Sequence, residues 1–178
     1  MSLVYLDLEV FSNYFLCGLL IDGNHMKFKS HDTISVLALN TFLETYVGSR
    51  FVVGHNVSSY DLPLLDKILS SVEVDVSTKD AKKFSDDIIS KEVETDRVNK
   101  KRWPTVIDTI KYFQGKVSLK ALAVTTDCED VPTWVNDFDH LNESDENKLI
   151  EYNKLDLLTV QYLLSLPETQ AKLKIRHF

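Results

Sequence analysis

Hydrophobic and polar positions alternate along LVYLDLEVF, residues 3–11, with Leu6, Leu8 and Val10 pointing one way and Asp7 and Glu9 the other. Such period-two patterning predicts a strand whose two faces meet different surroundings. YFLCGLLI at 14–21 is almost wholly apolar, the turn signal DGN follows at 22–24, and HMKFKS comes next. Three strands joined by tight turns are expected, with the Asp-Gly dipeptide closing the second hairpin. The period then lengthens, since Val36, Leu39, Phe42, Leu43 and Tyr46 recur at helical spacing. RFVVGHN predicts a short buried strand whose carboxyl end opens into a loop. YDLPLLDKIL predicts a second helix, with Pro63 tolerated in its first turn.

Residues 72–102 change character, with few large apolar side chains and many charges, including the basic run RVNKKR from Arg97 to Arg102. An insertion or flexible arm is expected there, with a solvated surface loop or short helix the plainer reading and a nucleic-acid contact the alternative. PTVIDTI then predicts a core strand, VSLKALAV a short helix, and NESDENKLIEYNKLDLLTVQYLLSL a long one capped by Asn142 or Ser144. Hairpins first, then alternating helices and strands, indicate one α/β domain spanning 1–178. Its mixed sheet should have three antiparallel strands, then parallel ones, flanked by helices.

A chain of 178 residues, 44% of them hydrophobic, can bury one sizeable core. Cys17 and Cys128 show no metal-binding spacing, so neither a disulfide framework nor a zinc site is expected. No apolar run approaches the roughly 18 residues of a membrane span, and the first residues lack the features of a signal peptide. These features lead to the expectation of a protein in the cytoplasm, or the host cytoplasm if a virus encodes it, without a membrane partner. The formal net charge of −7 argues against a protein that coats nucleic acid. It leaves room for an enzyme acting on phosphates, because carboxylates that hold cations count as negative in that sum.

The acids sharpen this picture. Asp7 and Glu9 share one face of a strand, where like charges repel and loss of water costs several kcal/mol per ion. Either that face is wet or a cation sits on it. Asp61 stands at the mouth of a helix just after a strand end, where ligands of open sheets bind, although a simple cap is the plainer role. Tyr152 and Asp156 lie four apart on the long helix and so share a face. Four carboxylates and one phenol can thus converge, and hard oxygen ligands suit magnesium or manganese. Asp108, a further strand acid, is given a structural or supporting role.

In order and spacing, Asp-x-Glu at 7–9, Asn-x-x-x-Tyr-Asp at 56–61 and Tyr-x-x-x-Asp at 152–156 resemble the three motifs of the DEDD 3'-to-5' exonucleases. The tyrosine in the third motif matches the DEDDy subgroup, and the whole is most similar to the proofreading domains of family B DNA polymerases. In the histidine subgroup a histidine precedes the last aspartate by five residues; Glu151 stands there, and His25, His31, His55, His140 and His177 are scattered elsewhere.

The resemblance implies a ribonuclease H-like fold and hydrolysis of nucleic acid to nucleoside 5'-monophosphates, with two Mg2+ or Mn2+ ions. By position, Asp7, Glu9 and Asp156 would hold the metal that activates water, and Asp61 would support the second. Tyr152 would orient the water and Asn56 would lie near the terminal nucleotides. Lys116 and Lys120 resemble a lysine-containing element of some such domains. Phe11, Tyr14, Leu62 and Phe113 are candidates to stack on bases, with core packing their plainer role.

The expected substrate is the 3' end of single-stranded DNA. RNA trimming, or a binding module without turnover, are the alternatives. The chain ends soon after the third motif, so proofreading beside a separate polymerase, or a stand-alone role suited to a phage or other compact viral genome, is the corresponding expectation.

Overall fold

The computed structural model describes residues 2–71, 75–90, 99–103, 105–113, 118–125 and 139–177. In chain order the elements are β1 (Leu3–Phe11), β2 (Tyr14–Ile21), β3 (Asn24–His31), β4 (Thr33–Ile34), α1 (Val36–Tyr46), β5 (Phe51–Gly54) and α2 (Asp61–Leu69). Then come β6 (Val76–Ser77), α3 (Thr78–Ser90), β7 (Val106–Asp108), α4 (Leu119–Thr125), α5 (Glu146–Ser165) and α6 (Pro167–His177). The meander β1-β2-β3 is antiparallel. Its second turn is closed by Asp22 and Gly23, both with positive φ, as the twist of a two-residue hairpin demands.

β1 pairs in parallel with β5, and β5 with β7, giving a five-stranded mixed sheet in the order β3-β2-β1-β5-β7. The expected mixed α/β sheet is therefore present. Alternation along β1 and β2 assigns their side chains to two layers. Leu6, Leu8, Phe15, Cys17 and Leu19 pack with Leu39 and Leu43 of α1, Leu62, Leu65 and Ile68 of α2, and Ala81 of α3. Each fully buried leucine there contributes roughly 1.5–3 kcal/mol.

The opposite face is covered by α5, but its apolar contact is split in two. Tyr5, Leu20 and Val53 meet Leu157, Val160 and Leu164, while Phe11, Tyr14 and Leu16 meet Leu149 and Ile150. Between these clusters lie Asp7 and Glu9 of β1 and Tyr152, Asn153 and Asp156 of α5.

The charged stretch is corrected in part. Residues 75–90 follow the helical alternative rather than a flexible arm, because β6 pairs with β4 and α3 packs against β1 and α2, burying Ala81 and Ser85. The Ser85 hydroxyl lies 2.7 Å from that of Tyr60. The charges lie on the polar face of this amphipathic helix. Arg102 is paired with Asp66 at 3.1 Å, and Trp103 donates its indole N–H to the same carboxylate. Lys100 and Lys101 are exposed, and Arg97 lies outside the described residues. The long helix α5 is preceded by a 3-10 turn, Glu143–Asp145, with Asn142 at the turn's cap position.

The end of β5 is packed tightly enough to require glycine. A Cβ on Gly54 would stand 2.6 Å from Val57 Cβ and 3.0 Å from the Leu6 carbonyl oxygen, a backbone atom with little freedom to give. Gly54→Ala should therefore cost about 1–3 kcal/mol. A lowered urea midpoint checks this, and an unchanged midpoint would contradict the packing.

Candidate metal centre

β1 supplies the first two groups because a strand sends every second side chain to one face. Asp7 and Glu9 thereby face α5 together. Across from them, one turn of α5 brings Tyr152 and Asp156 to the same side. Asp7, Glu9 and Asp156 each place a carboxylate oxygen within 4.8 Å of the other two. The first two are half-buried, and Asp156 is buried.

Asp61 approaches from behind. β5 pairs only as far as Tyr5 of β1, and beyond that point the Leu8 N–H is satisfied by Asp61 Oδ1 at 3.1 Å. Asp61 is the first residue of α2, where the positive end of the helix dipole favours an anion. The loop leading to it is held by Asp108 at the end of β7, whose two oxygens accept the N–H groups of Asn56 (2.8 Å) and Ser58 (3.0 Å). Asn56 sits in this loop with φ +61°. Asp108 thus supports the loop from beneath.

Electrostatically the cluster is under strain. Burial, then the charges of Glu9, Asp61 and Asp156, push the Asp7 carboxyl well above the usual range, against a hydrogen bond from Asn153. Glu9 is pushed well up by burial and by Asp156 and Asp61, with Lys120 opposing. Burial raises Asp61 to about 8, and raises Asp156 to about 6 despite the Tyr152 hydroxyl and Lys120. The Tyr152 phenol itself is driven far up by burial and by the acids around it, so it stays protonated.

Oδ1 of Asp156 is buried and has no hydrogen-bond partner among the described residues. An unsatisfied buried oxygen on an ionised group costs more than the about 1–3 kcal/mol of a neutral one. A divalent cation would answer both the repulsion and this orphan oxygen, and an all-oxygen donor set fits magnesium or manganese.

The structure divides the remaining sequence candidates. Lys120 of α4 is exposed and stands 5.1 Å from the centre of the Tyr152 ring, close enough to act on Glu9 and Asp156. Lys116 lies outside the described residues. Phe11, Tyr14 and Leu62 are corrected: they are 3%, 0% and 0% exposed, and the Tyr14 hydroxyl is bonded to Glu146. Their rings and branches are used up in the core, leaving no face for a base. Phe113 is half-buried against the Tyr5 and Leu157 cluster.

Sequence reasoning missed Asn153, fully buried, whose amide donates to Asp7 Oδ2 at 2.8 Å. Gly18, alone among apolar residues in β2 and opposite Asp7, was the available signal of a close approach.

Comparison with protein-family models, with curated proteins and with solved structures gives no match for this chain.

The raised carboxyls fix the sign of the pH dependence. Between the usual carboxylate pKa of about 4 and the folded values near 6 and 8, the folded protein holds protons that the unfolded chain releases. Stability is fully present below that window and is lost as pH rises through it. The melting temperature of chelator-treated protein should therefore fall from pH 5 to pH 8, by about 2–4 °C for each kcal/mol lost. Asp61→Asn should flatten the slope. A melting temperature that rises over this range in the wild type would contradict the clustered geometry.

Proposed function

We propose that this protein is a metal-dependent 3'-to-5' exonuclease of the DEDDy type, with a ribonuclease H-like fold, acting on the 3' end of single-stranded DNA. The observation that carries the proposal is the convergence of Asp7, Glu9 and Asp156 from two distant segments onto one point. Asp61 stands behind them and the Tyr152 phenol lies on Asp156. The strand order, with three antiparallel strands followed by parallel ones, is compatible with that fold.

Asp7, Glu9 and Asp156 would hold the cations, with Asp61 supporting them through its place beside the Leu8 amide. Bound divalent ions neutralise phosphate charge and lower the pKa of bound water, the chemistry an in-line phosphodiester hydrolysis needs. The phenol of Tyr152, held protonated, serves as a hydrogen-bonding group that orients water rather than as a base. Lys120, at the rim, offers a cation to a phosphate without occupying the acidic centre. Asn56, on the loop braced by Asp108, would lie near the terminal nucleotides. The substrate's own negative charge is then met locally, despite a net charge of −7.

Incubation of 5'-labelled single-stranded DNA and RNA with magnesium, manganese or chelator tests this. A ladder shortening from the 3' end should appear with metal, more strongly on DNA, and vanish with chelator. Asp7→Ala should lower the rate by more than about a hundredfold, since even partners behind metal ligands are worth 10–100-fold. Intact DNA in every lane would reject the exonuclease, and a ladder confined to RNA would reassign the substrate.

A further inference from the structure

Asn153 occupies a position that a core side chain would normally fill with hydrocarbon. It is fully buried on the face of α5 that meets the sheet, and both ends of its amide are used. Nδ2 donates to Asp7 Oδ2 at 2.8 Å, with the Asp7 carbonyl oxygen a further 3.5 Å contact. Oδ1 lies 3.1 Å from Nε2 of His25 on β3.

The chemistry permits one orientation. The Asp7 carbonyl oxygen only accepts, and so does its carboxylate when a cation replaces the proton, so the amide nitrogen must face Asp7. Its oxygen must then face His25, and the imidazole must donate from Nε2. In this Nε2–H tautomer His25 holds the amide against a flip that would turn an oxygen toward Asp7. Space for this arrangement exists because residue 18 is glycine: a Cβ there would stand 1.8 Å from Asn153 Oδ1.

We propose that His25 and Asn153 form a positioning relay that fixes the plane of the Asp7 carboxylate. The relay holds Oδ2 so that the group presents a set geometry to a divalent cation. The inference rests on the cation site proposed for Asp7, Glu9 and Asp156. His25 and Asn153 are positioning residues, since neither lies among the clustered carboxylates. Partners of this kind, standing behind a metal ligand, typically tune affinity about 10–100-fold.

Calorimetric titration of the full chain with Mn2+ tests the relay without reliance on turnover, with circular dichroism reporting the fold. Wild type should bind Mn2+ and Asp7→Ala should lose that binding. Asn153→Leu, which keeps the heavy-atom count and branching but lacks the amide, should weaken binding about 10–100-fold with an unchanged far-ultraviolet spectrum. His25→Leu should weaken it too, and His25→Gln, whose amide can still donate to Asn153, should recover most of the loss.

Wild-type affinity in folded Asn153→Leu, or in His25→Leu, would overturn the relay while leaving the cation site standing. Equal binding by wild type and Asp7→Ala would overturn the cation site and the relay with it. Should Asn153→Leu fail to fold, the His25 pair, on a half-buried edge-strand residue, decides the question alone.

Discussion

Mutual repulsion among Asp7, Glu9, Asp61 and Asp156 is the constraint around which the rest of the molecule is arranged. Four acids brought out of water onto the middle of a sheet oppose folding by several kcal/mol. The opposition must be carried by apolar burial elsewhere. It is met by two clusters on the α5 face, one on each side of the acids, and by a larger one on the opposite face. α5 is thus clamped at both ends of its contact, and its polar middle turn has no freedom to withdraw from β1.

The groups that offset the repulsion are short-range and specific. The Leu8 amide bonds Asp61, the Asn153 amide bonds Asp7, and the Tyr152 hydroxyl bonds Asp156. Each favours a charged carboxylate, yet burial prevails at all three acids. A folded state that holds protons it would surrender to a cation is one in which metal binding and stability are linked, because the ion replaces those protons. Strain of this kind is common where a site must bind charge tightly, and rare where a domain is built for stability alone.

Rigidity around the acids comes from where they are mounted. Asp7 and Glu9 sit on a strand paired with β2 from Tyr5 to Phe11, Asp61 on the first turn of a helix buried in the core, and Asp156 in the middle of a helix of 20 residues. The more adaptable element is the β5–α2 loop, and it is pinned by Asp108 through two backbone N–H groups. Asp108 resembled a catalytic acid only in its residue type. Its oxygens are spent on the loop.

Local periodicity, set by backbone geometry, made the three-strand meander, the helices at 36–46 and 61–69 and the long helix α5 legible from sequence. The carboxylates that converge were legible as well, because alternation in β1 and four-residue spacing in α5 fix which side chains share a face before any packing occurs. Tertiary structure alone decided the rest. Whether Phe11, Tyr14 and Leu62 face substrate or core depends on which helix covers them. The helical layer at 78–90 depended on docking against β1 and α2. The contacts joining Asn153 to Asp7 and His25 span 146 and 128 residues of chain. Strand register and helix docking set such distances, and neither is written in the spacing of neighbouring residues.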